Sequence, residues 1–235
     1  MRLILTALML AALHTAASPT IQPGEYLTEG GWGTLKIKPG KNKQLTFVLD
    51  AIGANAHTCN LEGEIINGRA TLEAEEEGKA CVVGFKPKGD DLEVADRSEG
   101  YCRYYCGMRA SFEGLYIMPS AGCTLAGVRK ARKAFKQAYD KKAYADAEAH
   151  LSPLLNNCNK TLNWLEEGWI RNDLALAQYK SRNLLACRET LQALADDAAK
   201  TDAELREDYP PTDAESYLPI MRATRTNLKL CKGSR

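Results

Sequence analysis

The amino-acid sequence predicts an α+β protein of two segregated domains, a small antiparallel β-barrel followed by a module of α-helical repeats. Three observations lead to this reading. The apolar period lengthens from two to between three and four near residue 124. Charge changes sign at the same place: residues 18–123 carry 11 Lys+Arg against 15 Asp+Glu, a net of −4, and residues 124–235 carry 19 against 15, a net of +4. An even set of eight cysteines is spread over both halves. The 235 residues are 45% hydrophobic, with 18 Gly and 9 Pro, which describes a folding chain rather than a low-complexity one.

The first segment reads as an export signal. Met1-Arg2 supplies one positive charge, residues 3–13 an apolar run, and Thr15-Ala16-Ala17 small residues for cleavage after Ala17. The run is well short of the roughly 20 residues that span a bilayer, and no later segment is apolar enough to do so. Residues 1–17 are therefore expected to be a signal peptide, and the mature chain a periplasmic protein without a membrane span. In that compartment Cys59, Cys81, Cys102, Cys106, Cys123, Cys158, Cys187 and Cys231 read as a disulfide framework. Metal is not expected, because Cys102-x3-Cys106 has no second Cys/His pair of matching spacing.

Residues 18–123 hold short runs that alternate apolar and polar side chains, at 32–38, 44–50, 59–65, 69–75, 80–86, 91–95 and 110–116. Pro39-Gly40, Asn67-Gly68, Glu77-Gly78 and Lys88-Gly89-Asp90 punctuate them at the spacing of a small barrel or sandwich of about eight strands. Cys59 and Cys81 fall in what read as neighbouring strands and are expected to pair. Phe112-x-Gly114-x-Tyr116 is expected to close the barrel.

Residues 124–235 carry helical patterns at 128–138, 143–155, 174–181 and 214–230, with a further helix around residues 184–194. Tyr144-x2-Ala147-x3-Leu151-x2-Leu154 matches Leu184-x2-Cys187-x3-Leu191-x2-Leu194 at an offset of 40 residues, which marks a repeat. The Tyr-x2-Ala-x3-Leu spacing resembles tetratricopeptide repeats over about residues 126–230, although Phe135 and Ala138 stand where a small residue and a tyrosine are usual. Two units and a cap are few for an independent stack, so the helices are expected to lean on the barrel or to be stapled. Second helices of successive units run parallel and a cap helix antiparallel, which brings Cys187 to Cys231. Five cysteines then fall in the barrel half. Cys158 is expected to take one of Cys102, Cys106 or Cys123, leaving the other two to pair.

Two features carry functional chemistry. The string from Ser98 to Tyr116 concentrates Tyr101, Arg103, Tyr104 and Tyr105, residue types that anchor protein interfaces because they are large, amphipathic and inexpensive to order. Glu73, Glu75, Glu76 and Glu77 form an acidic run that would steer a basic partner. Together with Ser98 these are the candidate partner-binding residues. An exported, disulfide-tied small barrel resembles, over residues 32–123, the bacterial periplasmic lysozyme inhibitors and related immunity proteins. Those insert a Ser-Gly-x-x-Tyr loop into a muramidase cleft; the nearest string here is Ser98-Glu99-Gly100-Tyr101, its glycine displaced. The resemblance implies a protein partner, a cell-wall hydrolase or secreted toxin, occluded by this loop.

The alternative is an envelope adaptor that holds a peptide or protein segment on its helical repeats. Catalysis is not expected: outside the leader only His57 and His150 could serve as a histidine base, and no phosphate loop, HExxH or GxSxG is present. No cofactor is implied, and a net charge of +1 gives no surplus for nucleic acid. Glu62, Glu64 and Glu113 are the carboxylates that could converge for glycoside cleavage.

Overall fold

The computed structural model describes residues 20–40 and 44–233, so the expected signal peptide and residues 41–43 of the turn expected after Pro39-Gly40 lie outside the described residues. Eight antiparallel strands, β1 (Gly24–Thr28), β2 (Gly33–Pro39), β3 (Leu45–Ile52), β4 (Thr58–Ile65), β5 (Arg69–Glu73), β6 (Ala80–Lys88), β7 (Asp91–Asp96) and β8 (Gly114–Ile117), form one sheet in the order β4-β3-β2-β1-β8-β7-β6-β5. Sequence neighbours pair except β4 and β5, and β8 returns to β1 through Leu27↔Ile117 and Thr28↔Tyr116. The result is a nearly closed up-and-down barrel. Its seam lies between β4 and β5, which are joined through the Ile66↔Arg69 bridge at their turn. Asn67 and Gly68 in that turn have φ of 52° and 76°, the two positive values a tight right-twisted hairpin needs.

Alternation builds the core. In β3, Phe47, Leu49 and Ala51 are buried while Val48, Asp50 and Ile52 face solvent. Phe47 meets Phe85 edge to face across the interior, with ring centroids 5.0 Å apart. Phe112 and Tyr116 do close the barrel: both are buried, and the Tyr116 hydroxyl donates to the Phe112 carbonyl at 2.8 Å. The expected strand at residues 110–116 is shortened to β8, with residues 110–113 in the preceding loop, and β1 was not foreseen. Cys59 does not pair with Cys81. β5 lies between their strands, and the bridges are Cys59–Cys106 and Cys81–Cys102. It follows that Cys102 and Cys106 are not joined to each other.

The second half contains α1 (Leu125–Asp140), α2 (Tyr144–Asn157), α3 (Trp164–Lys180), α4 (Leu184–Leu191), α5 (Ala195–Ala199), α6 (Asp202–Asp208) and α7 (Pro211–Cys231). α1–α2 and α3–α4 are hairpins with one turn geometry. Lys142 and Arg182 have φ of 61° and 63°, and the Ala143 and Asn183 amides donate to the Ala138 and Gln178 carbonyls. Ala147 and Cys187, 40 positions apart, are both fully buried, as are Leu151 and Leu191. α5 and α6 were not foreseen, being too short to show an apolar period. α3 is joined to α7 by a buried polar network in which the Asn172 amide donates to Thr224 Oγ1 and the Asn227 amide to Asn172 Oδ1. Cys187–Cys231 ties α4 to the end of α7 as the helix directions predict, and Cys158 takes Cys123.

Two barrel loops dock on the helices. The Gly30 amide donates to the Lys160 carbonyl at 2.7 Å, and Asn55 caps α7 by accepting from the Thr212 amide and donating its own amide to Asp213, each at 3.0 Å. At Gly31, φ is +62°, and a Cβ would stand 2.5 Å from the Thr161 carbonyl oxygen. Gly31→Ala is therefore expected to cost about 2 kcal/mol or more in urea unfolding of the oxidised protein. Gly122→Ala, with nothing within 4 Å of its Cβ, should stay within about 0.5 kcal/mol of the parent.

The Tyr209 and Tyr217 hydroxyls both donate to Asp197 Oδ2, at 2.7 and 3.0 Å. Burial pushes the Tyr209 phenol up to about 12, and burial raises Tyr217 and Tyr116 further. Because these folded-state values exceed that of the unfolded chain, about 10, their contribution to stability is fully present below that pH and is lost as pH climbs through the folded values. In an absorbance titration at alkaline pH, only part of the 10 tyrosines should ionise before cooperative unfolding. Complete ionisation with native circular dichroism would contradict this.

Candidate functional site

The long connection between β7 and β8 builds the site. After β7, the Asp96 carboxylate accepts from both the amide and the hydroxyl of Ser98. Glu99 and Gly100 then take φ of 57° and 99°, which reverses the chain into a 3-10 turn over Tyr101–Tyr105. This strap is anchored at two points. Cys102 is bonded to Cys81 at the start of β6 and Cys106 to Cys59 at the start of β4, while the Gly107 amide donates to the Thr58 carbonyl at 2.8 Å. Since β5 lies between β4 and β6, the strap crosses the end of the open seam. The Tyr105 hydroxyl completes the attachment by donating to the Glu73 carbonyl, the last residue of β5, at 2.9 Å.

Two separate sequence candidates thereby become one surface. Glu75, Glu76, Gly100, Tyr101, Arg103 and Tyr104 line a cleft of about 390 Å³. Tyr104 is 60% exposed and meets Tyr105 edge to face at 5.3 Å. Lys79 Nζ stands 5.4 Å from the centroid of the Tyr101 ring. Burial pushes the Tyr105 phenol above its ordinary value, with Glu73 and Tyr104 adding to the effect. Arg103 donates to the Ala110 carbonyl at 2.8 Å, so the guanidinium braces the strap from within.

Ser98 is placed differently from the sequence reading. It is 8% exposed, with its hydroxyl held by Asp96 and 3.5 Å from Cys102 Sγ, so it forms the turn and offers nothing to a partner. Glu77 is exposed at the hairpin tip but does not line the cleft. Met108, 84% exposed on the same connection, was missed because a lone methionine carries no pattern. Lys79 was missed for the same reason.

The other candidates for chemistry do not converge. Glu62 and Glu64 are on β4 and Glu113 precedes β8, four strands away around the barrel. His57 packs against Gly107, and His150 is exposed on α2. No cluster of three or more metal-ligating side chains occurs among the described residues.

A second concavity of about 880 Å³ runs along α1 and α3, lined by Arg129, Lys133, Phe135 and Tyr139 among others. Across it Arg132 reaches Glu166 at 2.8 Å and Asp173 at 3.2 Å. Burial holds the Asp173 carboxyl above the usual range despite Arg132, whose own value the two carboxylates raise against burial.

No protein-family model matches this chain, nor does any characterised protein or solved structure. The geometry defines a disulfide-stapled barrel, docked on helical hairpins, that displays a rigid acidic and aromatic surface. Four disulfides, with no helix among the described residues long and apolar enough to cross a membrane, fit a secreted or periplasmic protein.

The Cys81–Cys102 bridge joins residues 21 positions apart. Replacing both cysteines by alanine is expected to cost about 3 kcal/mol in non-reducing urea unfolding and to speed tryptic cleavage at Arg103. Unchanged stability together with unchanged resistance at Arg103 would show that the bridge does not hold the strap.

Proposed function

We propose that this protein is a periplasmic inhibitor or immunity protein that binds and occludes a peptidoglycan-degrading enzyme of the lysozyme or muramidase type. The observation that carries the reading is the convergence of Tyr101 and Tyr104 with Glu75 and Glu76 in one covalently braced cleft. Phenol rings bring large contact area at low rotamer cost. The acidic tip steers and orients a basic enzyme. The two bridges fix the strap before contact, so little ordering entropy is lost on binding. The mechanism is occlusion of the substrate cleft, with no chemistry at the inhibitor.

Cell-wall lysis by a panel of lysozymes and toxin muramidases, measured with and without a molar equivalent of the oxidised protein, tests this directly. Inhibition of one enzyme is expected. For that enzyme Tyr104→Ala should weaken binding by about 10- to 100-fold with unchanged thermal stability. Replacing Glu75, Glu76 and Glu77 together by glutamine should slow association and flatten its salt dependence while changing dissociation little.

The groove on α1 and α3 favours a second reading, in which α1–α4 act as a tetratricopeptide-like adaptor for a peptide or protein segment. Lysis unaffected across the panel, with function in cells lost on Arg129→Glu and Lys133→Glu but kept on Tyr104→Ala, would select it.

A further inference from the structure

The helical half ends in a cleft that neither reading uses. α4 stops at Leu191, and the chain passes through a 3-10 turn over Gln192–Leu194 into α5. The opening against the C-terminal half of α7 is about 450 Å³, the size of a small-molecule site. Its floor is apolar and made of short side chains, Ala195, Ala198 and Ala199 with Leu228. Its rim is cationic, with Arg188 from α4 and Arg225, Lys229 and Lys232 from α7 and its cap.

Three features separate this rim from an ordinary solvated face. No carboxylate is among the described residues that line it. Lys229 and Lys232 stand three positions apart on one helix face, a like-charge pairing that an anion would relieve, whereas the neighbouring Arg225 is already neutralised by Asp202. The α7 C-terminus favours Lys229 and Lys232 through the helix dipole and holds Arg188 through the Cys231 carbonyl, and together these contacts bring three cations to one opening. The site is also preformed. Cys187–Cys231 fixes α4 to α7, Arg188 donates to the Cys231 carbonyl at 3.1 Å, and Arg225 holds the α5–α6 linker through the Ala198 and Lys200 carbonyls at 3.0 and 2.7 Å. Arg225 is further occupied by Asp202, so the charges presented to a ligand are those of Arg188, Lys229 and Lys232.

We propose that this cleft binds a small amphiphilic anion, a carboxylate or phosphate head on a short apolar body. The head meets the three cations, and the body lies on the alanine floor. α7 is 21 residues long and so about 30 Å from end to end; its first turn touches the barrel at Asn55, which places the cleft at the opposite end, independent of the strap surface.

Isothermal titration of the oxidised protein with octanoate, octyl phosphate, octanol and inorganic phosphate tests the assignment. One-to-one binding of octanoate or octyl phosphate is expected, with octanol and inorganic phosphate at least ten-fold weaker, because each supplies half of the recognition. Preference between the two amphiphiles distinguishes a free acid from a phosphorylated headgroup as the source. Lys229→Glu with Lys232→Glu should weaken binding at least ten-fold. Ala199→Leu, which fills the floor from its exposed side and keeps every charge, should do the same with unchanged circular dichroism. Failure of both amphiphiles to bind at millimolar concentration would overturn the proposal. So would octanol binding equally well, which would mean a greasy patch, inorganic phosphate binding equally well, which would mean an adventitious anion only, or affinity indifferent to both sets of substitutions.

Discussion

The barrel depends on how its seam is closed. A meander of eight strands satisfies its ladders everywhere except where the sheet must meet itself, and here that place falls between β4 and β5. Unpaired strand edges are a liability in any sheet. At the lower end the Asn67-Gly68 turn holds the two strands together; in the middle Leu72 lies over Gly63, where a Cβ would stand 2.8 Å from the leucine methyl. The upper end is closed by a segment that belongs to neither strand. The strap over Tyr101–Tyr105 spans the seam because one of its cysteines is bonded to β4 and the other to β6. Closing the barrel and presenting the tyrosines are thus one structural act: the residues that face solvent there are on the strap because the cysteines between them are needed underneath.

The helical half has a comparable dependence on α7. Two hairpins bury Ala147, Leu151, Cys187 and Leu191 but leave a face of α3 to be covered. α7 covers it, with Ile220 and Met221 fully buried and Asn172, Thr224 and Asn227 satisfying one another between the helices. Gly168 permits the close approach, since a Cβ there would meet Ile220 at 2.9 Å. The same helix is fixed to the barrel at its first turn by Asn55 and to α4 at its last by Cys231. One long helix therefore links the barrel to α3 and α4, which explains how so few helices suffice where solenoids ordinarily need more repeats.

Much of this was legible in the sequence because it rests on periodicity. β2 to β7 show alternation, the hairpin units announce themselves by a 40-residue offset, and Cys187–Cys231 follows from helix directions alone. What was not legible depends on contacts between distant segments. Cys59 and Cys81 were expected to pair although the run at residues 69–75, which contains β5, already stood between theirs; their partners Cys106 and Cys102 lie on the β7–β8 connection, which has no strand period to place it. β1 is five residues long, and its strand character comes from pairing β2 and β8 rather than from its own pattern. Ser98 looked like a contact residue by composition, yet Asp96 two positions earlier supplies the acceptor that turns it inward. Both the tyrosine string and the glutamate run were visible; that they share a cleft follows from the Cys81–Cys102 bridge, which places the first turn of the strap beside the β5–β6 hairpin.

The opposite charges of the two halves now have locations. The net of +1 says little about association, because steering depends on local potential and is screened beyond a Debye length of about 8 Å at physiological salt. Glu75, Glu76 and Glu77 sit at one barrel end, whereas Arg188, Lys229 and Lys232 gather where α4 meets the end of α7. A basic macromolecule and a small anion would accordingly be drawn to different ends of the molecule without competing. The disulfides serve both: Cys81–Cys102 holds the acidic end rigid and Cys187–Cys231 the cationic one. Rigidity at each end reduces what a ligand must order on arrival, so each of these bridges has a second consequence beside stability: Cys81–Cys102 completes the closure of the seam that Cys59–Cys106 begins, and Cys187–Cys231 fastens α4 to α7.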